Sequence, residues 1–238
     1  MSYHVAGIIS ALLTTLALTG LVVQLRLIWQ RKRLTDAGEL LNERPTTSLS
    51  VNRFITSFLA YFSFLVYGAI TERFNHYLVW PRVGALLLTT AILFECMIDR
   101  RQKRVVGAFA FCATLTAFGL ALVFVRPQPT KLGTHAAATL VCCVTAMYLQ
   151  GGIAQLRTIR RSGQTGGLSL ALHVLFCLKD AGTAIFAAIT GVATGWPVML
   201  LSSCGVVVQT TTIYHFRWAA QRQRGAAALA PLPPGEAG

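Results

Sequence analysis

Residues Ala154–Ser169 read AQLRTIRRSGQTGGLS, and part of this pattern occurs earlier in the chain, where Val23–Ile28 read VQLRLI. In each copy Gln-Leu-Arg closes an apolar segment and basic residues follow. A Leu-Ser pair then opens the next apolar segment, at Leu49-Ser50 in the first copy and Leu168-Ser169 in the second. The matched order of these landmarks predicts an internal repeat.

A third landmark extends the repeat to three helices. Trp80-Pro81 and Trp196-Pro197 open the third and the seventh apolar segments, and we expect each proline at a first helical position, where its missing N–H costs nothing. Helices 1–3 and 5–7 are therefore expected to be copies in the same orientation. Parallel copies of three helices require a fourth helix between them that inverts the chain.

The composition of the chain is that of a membrane protein. Of 238 residues 54% are hydrophobic and 12% charged, and the mean hydropathy is +0.58. A soluble domain carries about a quarter charged residues. With 20 glycines, 8 prolines and 6 cysteines the chain is neither collagen-like nor a disulfide scaffold, and all six cysteines fall in apolar segments at spacings that fit no metal site.

Seven apolar segments are long enough to span a bilayer, which needs about 20 residues of helix. They lack the alternation of barrel strands, so helices are expected. The first segment follows a start without Lys or Arg, so we expect a true first helix and not a secretory signal. The predicted spans are Val5–Trp29, Leu49–Ile70, Leu78–Ile98, Val105–Val125, Thr134–Ile159, Leu168–Thr190 and Pro197–Phe216.

The basic residues predict the orientation of the spans. Sixteen Lys and Arg lie beside span ends on one side and four on the other. By the positive-inside rule the N-terminus is outside and the C-terminus cytoplasmic. The net charge of +13 is thus a topology signal that also attracts anionic lipid, and nucleic acid is not an expected partner. Residues 225–238 are expected to be a disordered tail.

This 3+1+3 plan resembles the PQ-loop superfamily and, within it, the SWEET (MtN3/saliva) sugar transporters. The resemblance rests on the Gln-Arg-basic-loop-Leu-Ser runs, with motif residues Gln24 and Gln155, and on the Trp-Pro pairs. It implies two parallel triple-helix bundles, at residues 1–104 and 134–224, joined by a linker helix at 105–133. It also implies transport by alternating access. The positions at which SWEETs carry a substrate-binding Asn hold Arg82 and Val198 here.

Lys179-Asp180, midway along helix 6, is the sharpest local signal for chemistry. A charge at the bilayer centre costs about 2.5–3.5 kcal/mol on insertion scales, so it normally faces a cavity or a partner. Asp180 is expected to be a proton-coupling carboxylate. The resemblance to the PQ-loop superfamily implies this role, because cystinosin-like transporters of that superfamily have a similarly deep Asp. The alternative is that Lys179 and Asp180 are each neutralised by a contact with another helix, purely to permit insertion into the membrane.

Further polar and aromatic residues are candidates for the solute pathway. Polar groups in the middle or inner half of the helices either bind a solute or join helices to one another. Aromatic groups of the outer half either gate the pathway, as in SWEETs, or anchor the protein at the interface. The first set is Gln150, His173, Thr183 and Gln209, with Arg82 added as a cation; the second set is Tyr61, Tyr67, Trp80 and Trp196.

The sequence contains no enzyme signature, so we expect neither an enzyme nor a cofactor. The predicted function is transport of a small polar solute, with sugar as the first candidate, across what is expected to be the cell membrane. Three alternatives stay open: a proton-coupled transporter of amino acids or other organic solutes, a peptide-binding protein like the KDEL receptors, and a lipid scramblase. A retinal protein is disfavoured, because Lys179 lies in helix 6. The expected partners are solute, lipid and proton, and assembly into a homo-oligomer stays open.

Overall fold

The computed structural model describes residues 3–37, 45–46, 49–71, 74–126, 128–162 and 170–228, and within these ranges the chain forms seven α-helices and no strand. Each helix is long and apolar enough to cross a membrane, so the chain is an integral, multi-pass membrane protein. The helices are α1 (Tyr3–Asp36), α2 (Val51–Ile70), α3 (His76–Arg100), α4 (Lys103–Val125), α5 (Lys131–Ser162), α6 (Leu170–Thr190) and α7 (Val192–Ala228).

The seven predicted spans are confirmed, with differences at their ends. α1 runs on to Asp36 and α7 to Ala228, because a helix satisfies its own backbone hydrogen bonds and has no need to stop where the apolar run stops. Residues 225–228, which we expected in a disordered tail, are therefore helical, whereas residues 229–238 lie outside the described part.

The prediction that the two prolines occupy first helical positions is wrong. α3 begins at His76 and α7 at Val192, so Pro81 and Pro197 each lie inside a helix. The start of α3 is set by Asn75, whose side chain accepts a hydrogen bond of 3.1 Å from the backbone N–H of Leu78. A polar N-cap residue such as Asn75 lies before the apolar run, so hydropathy alone placed the start of α3 too late.

The helices pack as two groups of three with one helix at the side. α3 contacts both α1 and α2, and α7 contacts both α5 and α6. The two groups meet where α1 packs on α6 and α2 on α5, while α4 packs on α2 and α3. Each group therefore has its third helix in the middle, which is the arrangement expected of two copies. The domain limits at residues 104, 133 and 224 stay a prediction.

The helices divide their side chains between a buried interior and a lipid-facing exterior. Phe58, Leu65 and Ile92 are fully buried, whereas Phe118 and Phe124 of α4 are more than half exposed. Large apolar side chains on the outside are unfavourable in water and suit contact with hydrocarbon. α4 is accordingly a lipid-facing helix, and the interior available to a solute lies between the other six.

The end of the bundle where α1, α3, α5 and α7 finish is called here the basic end. A loop segment is bound there to the end of α3: the backbone N–H of Thr46 donates to Asp99 Oδ2 at 3.1 Å, and Arg100 Nη2 donates to the carbonyl of Leu49 at 2.7 Å. These bonds fix the position at which α2 begins, and with it the side chains beside the first cavity described below. That the basic end faces the cytoplasm stays a prediction.

Candidate functional site

Two cavities of similar size lie at opposite ends of the bundle. The basic-end cavity has a volume of about 650 Å³ and is lined by α2 as far as Phe64, by the first half of α6 and by the middle parts of α5 and α7. The far-end cavity, of about 660 Å³, is lined by the other ends of the same four helices, together with α1, α3 and the segment before α5. Both volumes lie within the range of small-molecule sites.

A closed layer separates the two cavities. On α2 the lining residues of the basic-end cavity stop at Phe64, and those of the far-end cavity start at Tyr67. Similar gaps occur on α5, α6 and α7. Leu65, Val141 and Thr183 lie in these gaps and are fully buried. Buried side chains therefore fill the level between the two cavities, and this level is called here the closed layer.

Lys179 and Asp180 line the basic-end cavity next to this closed layer. Their side chains form an ion pair, and both are less than a tenth exposed. The Lys179 ammonium also lies 5.8 Å from the ring centres of Tyr61 and of Phe176, within the range of a cation–π contact. The pair faces a cavity, as a charge at this depth is expected to do.

The carboxyl group of Asp180 is seated on a glycine of the neighbouring helix. A Cβ atom placed on Gly205 of α7 would lie 2.7 Å from Cγ of Asp180, which is closer than side chains approach. α7 therefore leaves room for this carboxylate only because residue 205 has no side chain. Sequence inspection did not single out Gly205, since one glycine in a span looks like any small packing residue.

Arg82 of α3 is buried behind the cavity wall, with only 1% of its surface exposed. Its Nη2 donates to Thr183 Oγ1 of α6 at 3.1 Å, and its guanidinium carbon lies 5.3 Å from the ring centre of Phe64. Thr183 Oγ1 is also 3.3 Å from Ser10 Oγ of α1. These contacts connect α1, α3 and α6 in the middle of the bundle, inside the closed layer.

A chain of hydrogen bonds joins three helices across the basic-end cavity. His173 Nδ1 of α6 donates to Gln209 Oε1 of α7 at 2.6 Å, and Gln209 Nε2 donates to the hydroxyl of Tyr148 of α5 at 2.9 Å. All three residues line the cavity. His173 and Gln209 were sequence candidates, but Tyr148 was missed. Its position two helical turns before Gln155, on the same face of α5, is the signal that points to it.

The remaining candidates are distributed over both cavities. Gln150 lines the basic-end cavity, and so does Tyr61, which we had grouped with the outer aromatics. Tyr67 and Trp196 line the far-end cavity. Trp80 lines neither cavity; it is 46% exposed and donates to His76 Nδ1 at 3.2 Å, which fits an interface anchor.

Of the two motif glutamines, only Gln24 has a described side chain. Gln24 is half-buried in α1 and lines neither cavity, and the side chain of Gln155 lies outside the described part. Arg53, one of the basic residues at the span ends, lines the basic-end cavity near the start of α2.

Replacing Gly205 by alanine is expected to displace the Asp180 carboxylate and to weaken solute uptake. The added methyl group overlaps the carboxyl group, and overpacking of this kind costs about 1–3 kcal/mol. Gly107→Ala is the matched control, because a Cβ at Gly107 meets nothing within 4 Å. Thermal unfolding in detergent and uptake by proteoliposomes measure the two effects. Equal behaviour of the two variants would show that Asp180 is not held against residue 205.

The fold is shared with a known transporter. A solved structure of a eukaryotic SWEET transporter superposes on this chain with a TM-score of 0.63 and 14% sequence identity, covering 92% of this chain and 99% of that one. No family model matches the sequence, and no curated protein matches it. The chain therefore has a SWEET-like fold and a sequence of low identity to that transporter.

Proposed function

We propose that this protein is a membrane transporter, and not an enzyme, that moves a small polar solute by alternating access between its two triple-helix groups. The two cavities support the proposal most directly: they lie at opposite ends of the bundle, are lined by parts of the same four helices and are separated by a closed layer. A path open at one end at a time lets a solute cross without opening a continuous pore. The shared fold agrees with this reading.

Two classes of solute fit a cavity of this size. Sugar is the first candidate, because the similar fold belongs to a SWEET transporter. A proton-coupled organic solute is the second, because Asp180, a group able to bind and release a proton, lines the basic-end cavity. Hydroxyl and amide groups from Tyr148, Gln150 and Gln209 offer hydrogen bonds to either class.

A KDEL-receptor-like protein that binds a peptide and moves nothing across the membrane is the main competing function. Such a receptor needs one cavity that is open on one side. The second cavity, at the far end and of equal size, has no role in a receptor of that kind. The two-cavity arrangement therefore favours transport.

Reconstitution into liposomes tests the proposal. Uptake of pooled labelled sugars, amino acids and organic acids is measured with and without an inward proton gradient, and protein-free liposomes give the background. We expect protein-dependent uptake of at least one pool. Uptake of a sugar that is indifferent to pH would indicate facilitated diffusion, whereas accumulation only with the gradient would indicate proton coupling. Binding of a pool without any uptake would replace transport by the receptor function.

A further inference from the structure

The buried charges at the closed end of the basic-end cavity do not balance. Arg82, Lys179 and Asp180 are each no more than 7% exposed, so two cations share one carboxylate. Asp180 interacts electrostatically with both cations but forms its ion pair with Lys179. Within the described part of the chain, either assignment of the carboxylate leaves one of the two cations without a carboxylate partner. An uncompensated charge buried in this way is strongly unfavourable.

Arg82 also has hydrogen-bond donors that no group in the described part of the chain accepts. Its Nη2 donates to Thr183, while Nε and Nη1 are buried and have no partner there. A guanidinium carries five N–H donors and is suited to a carboxylate, which accepts two parallel hydrogen bonds. Leaving such donors unsatisfied is unfavourable, so an acceptor that arrives from elsewhere would be bound strongly.

The position of Arg82 places these donors on the path between the two helix groups. Arg82 contacts Phe64 of α2 and Thr183 of α6, and these two residues each lie fifteen positions after the leucine of the repeated Leu-Ser pair. Arg82 therefore lies between equivalent points of the two repeats. Phe64 itself lines the basic-end cavity, so the guanidinium packs against a residue of the cavity wall.

We infer that the transported solute carries a negatively charged group such as a carboxylate, and that Lys179 and Arg82 bind this group at the closed end of the basic-end cavity. Lys179 lies at the cavity wall and meets the anion first; Arg82 becomes accessible when the ring of Phe64 moves as the closed layer opens. The bound anion supplies the missing charge and accepts the unused N–H groups. This inference rests on the proposed transport function and selects its substrate class.

Matched pools of solutes test the substrate class. One pool contains carboxylates (glucuronate, glutamate and succinate), and the other contains neutral counterparts of similar shape (glucose, glutamine and succinamide). Uptake into proteoliposomes and the shift of the unfolding temperature in detergent are measured for both pools. We expect uptake and stabilisation with the carboxylates and little of either with the neutral pool.

The possible results distinguish the anionic substrate from the transport function itself. Uptake of neutral solutes alone overturns the anionic substrate and leaves transport standing. Stabilisation by carboxylates without any uptake supports the anion site and overturns transport. If neither pool is taken up and neither stabilises the protein, both the anionic substrate and the transport function are overturned.

Variants separate binding from a purely structural role. Arg82→Gln should lower carboxylate uptake roughly ten- to a hundredfold, the worth of a hydrogen bond to a charged group, and should reduce the ratio of carboxylate to neutral uptake. Lys179→Gln leaves Arg82 and Asp180 as one positive and one negative charge, and it should reduce the same ratio. It replaces Arg82→Gln as the test if that variant does not fold. Arg104→Gln, at an exposed position in α4, is the control. An unchanged ratio in folded variants would overturn the assignment of these residues.

Discussion

Uptake driven by an inward proton gradient is expected to fall to the level of protein-free liposomes when Asp180 is replaced by asparagine. The amide keeps the size of the carboxyl group but cannot bind and release a proton. Asp180 is the carboxylate that lines the basic-end cavity in the described structure, and it lies next to the closed layer between the cavities. A proton bound to Asp180 crosses the membrane only when the protein changes the side to which this site is open.

The substitution also leaves Lys179 without its ion-pair partner, and this needs its own control. The double variant Lys179→Gln/Asp180→Asn removes both members of the ion pair, and it is compared with Lys179→Gln alone, so that the difference between the two reports the loss of the proton site. Asp36→Asn, at an exposed position at the end of α1, is the matched single control. Gradient-driven uptake that persists in Asp180→Asn would exclude this residue as the coupling site.

Joining α1 to α6 by a disulfide is expected to stop transport completely and reversibly. Ser10 Oγ and Thr183 Oγ1 lie 3.3 Å apart across the contact between the two helix groups, so two cysteines at these positions need only a small approach to form an S–S bond of about 2.05 Å. Alternating access requires the groups to move against one another. A covalent bond in the closed layer holds them in one state.

The experiment uses a background in which the six native cysteines, all free thiols, are replaced. Oxidation of the double-cysteine variant should reduce uptake to background, and reduction should restore it, which controls for the loss of the Thr183 hydroxyl. Each single-cysteine variant should be indifferent to the oxidant. Full uptake by a protein whose cross-link is verified by mass spectrometry would contradict movement between α1 and α6.

The fold was largely predictable because its signals are local. An apolar run long enough to span the bilayer predicts a membrane helix wherever it occurs in the chain, and sequence landmarks that recur in the same order predict a repeated unit. The ends of the helices were less predictable. Asn75 begins α3 outside the apolar run, and α7 continues to Ala228 in polar sequence, because caps and backbone hydrogen bonds do not depend on hydropathy.

The candidate site was predictable only as a set of residue types. Lys179, Asp180, His173 and Gln209 are polar residues within spans, and depth alone drew attention to them. That Tyr61 belongs to the basic-end cavity, or that Tyr148 completes the chain from His173, depends on which face of each helix meets the others. Successive residues on a helix point about 100° apart, so a modest error in its rotation exchanges a cavity residue for a lipid-facing one.

The sequence by itself determined seven membrane helices, their repeat and the presence of ionisable groups at mid-span. Only the tertiary structure decided that Arg82 meets Thr183, 101 residues away, and that Gly205 of another helix makes room for Asp180. The physical reason is that membrane insertion depends on the composition of each helix separately. The balance of charge and hydrogen bonds in the interior depends on how the helices pack, and no single segment contains that information.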